Sequence, residues 1–137
     1  MMKRKICLVW AFIFLLVAII PTAIFAGNVS LYNNNTMSNY TSFTITESGE
    51  ARVAYGYDGY ENITTGAVVT IVIEKRNFFF FWDEVTTEYF AIPDESYDGY
   101  YTHQLSSKGT YRCTVTLRVG GTGGEDDVFT FEDTKTY

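Results

Sequence analysis

The chain has one histidine, His103, and two cysteines, Cys7 near its start and Cys113 well inside it. A cysteine thiolate beside an imidazole would supply a nucleophile and its base, the minimum for covalent catalysis. Cys113, however, falls on the apolar side of the alternating run TYRCTVTLRV, where a thiol is shielded from water and inert. A structural zinc wants four Cys or His ligands at close spacing, and the chain does not offer them. Glycoside hydrolysis needs two carboxylates flanking the scissile bond, but no spacing singles out a pair among the sixteen acidic residues. Glu125, Asp126 and Asp127 sit together in the glycine-flanked stretch GGTGGEDD. Hard oxygen ligands on pliable backbone suit calcium, yet this is not EF-hand spacing, and a charge run beside glycines reads first as a solvated loop. The expectation is a protein that is not an enzyme and carries no cofactor, with calcium at Glu125–Asp127 as the remaining metal alternative.

The stretch that chemistry leaves unexplained is NFFFFWDE, residues 77–84. Phe78, Phe79, Phe80, Phe81 and Trp82 lie between basic Lys75-Arg76 and acidic Asp83-Glu84. The preceding run ends in charged residues and the next, DEVTTEYFAI, regains alternation, so the chain is expected to turn near 77–80. Alternation along an extended backbone sends about half of the rings to each side. Either a bent strand buries both faces, as aromatic residues in sheets often do, or part of the run stands in water as a contact surface.

The elements that hold these residues follow from composition and pattern. The first residues, MMKRKICLVWAFIFLLVAIIPTAIFAG, run from Lys3, Arg4 and Lys5 through an apolar stretch to Pro21 and small residues. That order is a secretory signal, with cleavage expected after Ala26; an uncleaved membrane anchor is the alternative, since the apolar stretch approaches the ~20 residues of a spanning helix. Without residues 1–26 the chain keeps seven basic and sixteen acidic side chains, a net charge near −9. Such a field is repelled by phosphate arrays, which excludes nucleic acid and disfavours anionic membrane surfaces. The remaining chain also keeps Cys113 alone, so the core of a secreted domain, where disulfides are common, must hold without one. Aromatic residues make up 18% of the chain and can supply that core.

Residues 27–41 are rich in Asn, Ser and Thr and read as a polar lead-in. From Ser42 onward, short runs of Val, Ile, Thr, Tyr and Phe are broken by Gly, Asn and Asp about every ten residues, the texture of a sandwich or barrel. Strands are expected over 42–46, 51–57, 67–75, 81–92, 97–105, 110–119 and 128–134. In the sixth, Tyr111, Cys113, Val115, Leu117 and Val119 share one face and Arg112, Thr114, Thr116 and Arg118 the other. The third, AVVTIVIEK, is apolar on both faces and is expected to lie centrally, covered more fully than its neighbours. A small repeat, YDGY at 57–60 and 97–100, reads as two turns or strand ends, with a pair of similar ligand-facing loops as the alternative.

SKGTYRC, Ser107 to Cys113, resembles the entry to strand F of immunoglobulin-like sandwiches. There the tyrosine two before the cysteine makes the tyrosine corner, its hydroxyl bonding back to upstream backbone. The likeness implies that Tyr111 is the corner residue. It also implies that Cys113, with no partner cysteine in EARVAYGY, serves as a small buried hydrophobe. With TIVIEKR, FFW and the ending FEDTKTY, most of residues 42–137 is also similar to a family of small secreted bacterial proteins of unknown function, which implies no activity. The fold expected is all-β: one immunoglobulin-like antiparallel sandwich of about seven strands over 42–137, preceded by a signal-peptide helix.

Three functions fit these residues. The first is a secreted, extracellular binding module that contacts a protein, or its own copy, through Phe78–Trp82, since aromatic anchors in a charged rim are what interfaces favour. The second is a carbohydrate-binding module that stacks sugars on exposed tyrosines such as Tyr60, Tyr100 and Tyr101. The third is a membrane-interface factor inserting Phe78–Trp82, where tryptophan is at home, although the negative charge argues against it.

Overall fold

In the computed structural model, which describes residues 33–78 and 80–137, the alternating runs become seven strands. They are β1 (Thr36–Ile45), β2 (Glu50–Gly59), β3 (Thr64–Arg76), β4 (Trp82–Ile92), β5 (Ser96–Gln104), β6 (Thr110–Gly121) and β7 (Asp127–Thr136). No helix occurs among the described residues, and so none there is long and apolar enough to cross a membrane. The signal-peptide helix expected over residues 1–26, the first part of the polar lead-in and Phe79 lie outside the described residues.

The strands form two antiparallel sheets, one of order β1-β2-β5 and one of order β4-β3-β6-β7. They pack as an immunoglobulin-like sandwich in which the fourth strand joins the sheet of the third. The constant-type immunoglobulin arrangement instead places its fourth strand beside the first sheet. Inward residues follow the two-residue period of each strand. Val53 and Tyr55 of β2 meet Val69, Ile71 and Ile73 of β3 and Cys113, Val115 and Leu117 of β6, all at most 2% exposed. Burying a side chain of this size stabilises the fold by roughly 1.5–3 kcal/mol each, which explains how the sandwich holds with Cys113 as a free, buried thiol.

The tyrosine corner forms where the likeness places it. Tyr111, 1% exposed, donates its hydroxyl proton to the Ser107 carbonyl at 2.5 Å. This pins the β5–β6 connection against the start of β6.

Two expectations need correction. First, β1 begins at Thr36, not Ser42, so residues 36–41 belong to the sandwich and not to a lead-in. The Asn- and Ser-rich composition hides an alternation in which Ser38, Tyr40 and Ser42 face outward. Second, the two copies of YDGY differ: Asp58 and Gly59 end β2, as one of the expected readings has it, whereas Asp98 and Gly99 make neither a turn nor a strand end but lie inside β5. Glycine serves there to clear space, because a Cβ at Gly99 would collide with the Tyr97 ring. β3 lies centrally in its sheet, as expected, with its inner face buried and its outer face partly covered, Thr70 and Val72 being half-exposed and Val68 exposed.

Candidate functional site

The β3–β4 connection is a short loop closed by hydrogen bonds from Asn77. The Asn77 N–H donates to the Phe81 carbonyl at 2.9 Å, and the Phe80 N–H donates to the Asn77 carbonyl at 3.1 Å. The Asn77 side chain completes the loop, accepting from the Phe81 N–H at 3.2 Å and donating to Asp83 Oδ1 at 3.3 Å. Phe80 sits at φ 67°, in the left-handed region. A turn followed by one left-handed residue is a common three-residue hairpin loop, with glycine the usual occupant of that last position. A phenylalanine there is a conformational outlier for a bulky side chain.

The result is an aromatic tip. Phe78 is 88% exposed, Phe80 73% and Phe81 69%. The fifth ring of the sequence run behaves differently, because Trp82 begins β4 and lies half-buried beneath Arg112, whose guanidinium carbon is 4.5 Å from the ring centroid. Arg112 is itself held by Glu74, with Nε donating at 2.8 Å and an ion-pair contact of 2.7 Å. Arg76 stacks at 4.9 Å over Phe80. Strand register brings five of the seven basic side chains among the described residues to this end: Lys75, Arg76, Lys108, Arg112 and Lys135. Glu74, Asp83, Glu84 and Asp133 are interspersed with them. The tip therefore stands in a rim of both signs, while the opposite end, with Glu61, Asp94, Glu95 and Asp126, is acidic.

The other residues singled out from the sequence do not converge on one surface. Tyr100 points outward from the three-stranded sheet, 61% exposed, with Arg52 stacked 4.1 Å from its ring centroid. Tyr101, its neighbour on the strand, points inward by the same alternation. It packs 5.9 Å from Phe90 and hydrogen-bonds Glu88 at 3.4 Å and His103 at 3.3 Å. Tyr60 belongs to the β2–β3 turn, where its carbonyl accepts from Ile63 and Thr64. As a set, Tyr60, Tyr100 and Tyr101 form no common platform. The partner of His103 is thus Tyr101 and not Cys113. Burial, and secondarily Asp133 nearby, pushes the Cys113 thiol up to about 12, far from a reactive thiolate.

The acidic loop is occupied with holding the start of the domain. The Asp127 carboxylate accepts the backbone N–H groups of Asn34 and Asn35 at 2.9 and 2.7 Å. The Glu125 carbonyl accepts both asparagine side-chain amides at 3.0 Å. Asp126 faces Arg118 at 3.7 Å. Among the described residues no cluster of three or more His, Cys, Asp or Glu side chains could hold a metal ion.

Two contributors escape a reading of the sequence. Arg112 is separated from Trp82 by 30 positions, and only the β4-β3-β6 order brings them together. Tyr40 was hidden in the asparagine-rich stretch, although the alternation of Ser38, Tyr40 and Ser42 marks it as outward-facing.

No protein-family model matches the sequence, and no curated protein matches it. Among solved structures, the chain is similar to a β-glucuronidase of Parabacteroides merdae, at 14% identity and a TM-score of 0.40. The match covers 74% of this chain and 13% of that one, so this chain corresponds to a small part of that protein's length. Nothing about the chemistry of this chain follows from a likeness of that degree.

Proposed function

We propose that this protein is a non-enzymatic binding module, released from the cell after loss of residues 1–26, that engages a protein partner through its Phe78–Trp82 hairpin. The observation that carries this is three exposed phenylalanine rings on a loop closed by Asn77, one of them, Phe80, at a backbone conformation suited to glycine. Strained backbone at an exposed, over-determined loop is a mark of function, and a sticky tip with no partner would be an aggregation hazard.

The surroundings favour a protein over a bilayer as the partner. A tip that enters a membrane brings its flanking residues into the headgroup layer, and here Asp83 and Glu84 follow the rings at once. Trp82, the residue best suited to that layer, is held down by Arg112. A rim of mixed sign around an aromatic centre is the anatomy of a protein interface.

Site-specific photo-crosslinking from position 78, in the intact protein exposed to extracellular and surface proteins of its host, tests this proposal. A discrete protein adduct lost in Phe80→Ser and Phe81→Ser supports it, and an adduct of two copies of the chain would identify the partner as self. Co-sedimentation with neutral phospholipid vesicles in the absence of any protein adduct would replace it with the membrane-interface function.

A further inference from the structure

The geometry points to a second binding surface, a glycan platform on the outer face of the β1-β2-β5 sheet, that takes a neutral, extended oligosaccharide. It lies on a different face from the hairpin and stands or falls independently of it.

Register places the outward residues of this face in rows. Tyr40, Gly56 and Asp98 form one row, Ser42, Ala54 and Tyr100 the next, and Ser38, Asp58 and Ser96 flank the first on its other side. The central strand contributes only small side chains beside the tyrosines, and the Tyr40 ring lies over Gly56, where a Cβ would collide with its Cε1. The ring is covered by the strand on that side and Tyr40 is 46% exposed, which leaves ring surface for a sugar to stack on. On the far strand Tyr100 is stacked on one side by Arg52 and open on the other. The strands carrying the two tyrosines are two spacings apart and the residues one row apart, which separates them by about 12 Å. That is wider than one pyranose ring, so the two tyrosines address different sugars of a chain.

Polar groups stand where the hydroxyls of such a chain would fall. Two shallow depressions adjoin here, one of about 400 Å³ between Tyr40, Asp58 and Ser96, the other of about 460 Å³ between Arg52, Ala54 and Tyr100. Asp98 lines both. Its carboxylate makes no hydrogen bond or ion pair among the described residues, which leaves two oxygens to accept from vicinal hydroxyls. Asp58 accepts from Ser38 Oγ at 2.7 Å and keeps one oxygen free, and Ser96 Oγ accepts the Gly59 N–H at 3.1 Å while keeping its own proton to donate. Arg52, stacked 4.1 Å over the Tyr100 ring, offers its guanidinium N–H groups. Flat aromatic faces for the C–H side of a sugar, with carboxylates and a guanidinium for its equatorial hydroxyls, fit carbohydrate on both counts. Two carboxylates in a strongly acidic domain repel uronic or sulfated glycans, which restricts the ligand to neutral chains.

Isothermal titration of the purified protein with neutral β-linked oligosaccharides, from disaccharide to hexasaccharide, decides the matter. Affinity is expected to rise with chain length until the ligand spans both tyrosines and then to level off. Tyr100→Ala and Tyr40→Ser should each weaken binding about threefold to tenfold, the range of one aromatic stacking contact. Asp98→Asn should weaken it as well, and Phe80→Ser at the hairpin should leave it unchanged. Should Tyr40→Ser disturb folding by uncovering Gly56, Tyr100→Ala, at an exposed ring, decides alone. Absence of binding at every length by natively folded protein, or binding indifferent to Tyr100→Ala, overturns the proposal.

Discussion

Replacing Phe80 by glycine and by alanine in parallel probes the claim on which the tip depends. A left-handed backbone costs an L-residue about 1–2 kcal/mol, and alanine bears that cost as phenylalanine does. Glycine escapes it but loses about 0.4–1 kcal/mol to the greater freedom of its unfolded chain. The glycine variant should therefore be more stable than the alanine variant by about 0.5–1 kcal/mol, which reverses their usual order within regular structure. Against the native protein, both variants lose the stacking of Arg76 on Phe80 at 4.9 Å, worth about 0.5–1 kcal/mol at an exposed site. Relief of strain offsets that loss in Phe80→Gly, leaving it within about 0.5 kcal/mol of native, whereas Phe80→Ala is destabilised by the full amount. Differential scanning calorimetry would register the gap between the two variants as roughly 2–6 °C for a domain of this size. Both should lose the crosslinked partner equally. An alanine variant as stable as the glycine one would mean that position 80 carries no strain, and the inference from backbone conformation to function would fall.

Four further outcomes are expected. Tyr111→Phe removes the donor from the part-buried Ser107 carbonyl and should lower stability by about 1–3 kcal/mol in urea titration. Arg112→Ala uncovers the indole beneath it, so Trp82 emission should shift to the red and become more quenchable by acrylamide, with stability lower by about 1–2 kcal/mol from the lost stacking and charged hydrogen bond. Ellman's reagent should leave Cys113 unmodified in the folded protein near pH 8 and modify it on unfolding in urea, since the thiol is buried and pushed up to about 12. Finally, burial raises Tyr55, with Tyr97 adding to the effect, and Tyr57, with Asp94 adding to it, each to about 12 from an ordinary value of 10.0. The folded state keeps protons that the unfolded chain releases, so this stabilisation is intact below pH 10 and is lost as pH rises toward 12; an alkaline unfolding transition followed by circular dichroism should fall in that window.

The alternation of Tyr111, Cys113, Val115, Leu117 and Val119 was legible because one face of β6 is dry and the other wet, and a two-residue period records that difference directly. The hairpin position was legible from the charges on either side of it. Whether its rings were buried was not, because four phenylalanines satisfy a buried strand and an exposed loop equally well. The deciding group is Asn77, whose backbone and side chain together close the loop before the run can continue as strand. Glycine misled in the opposite direction. Beside aspartate it signals a turn, but Gly99 answers to a steric demand set by the nearby Tyr97 ring. The outer-face demand at Gly56 comes from Tyr40 on the neighbouring strand, so the residues around Gly56 do not reveal it.

The two surfaces proposed here use the sandwich in different ways. The hairpin needs a rigid base, and it has one: β3 is hydrogen-bonded on both sides, by β4 and β6, along most of its length. Arg112 then ties the first residue of β4 to Glu74 on β3 across the β6 neighbour. Stiffness at the base lets the loop present three phenylalanines without burying them in its own fold. A net charge near −9 on the chain beyond residue 26 makes like copies repel. That repulsion acts over a Debye length of about 8 Å at physiological salt. It therefore resists random approach between copies but does not oppose a partner that meets the basic residues around the tip with acidic groups of its own.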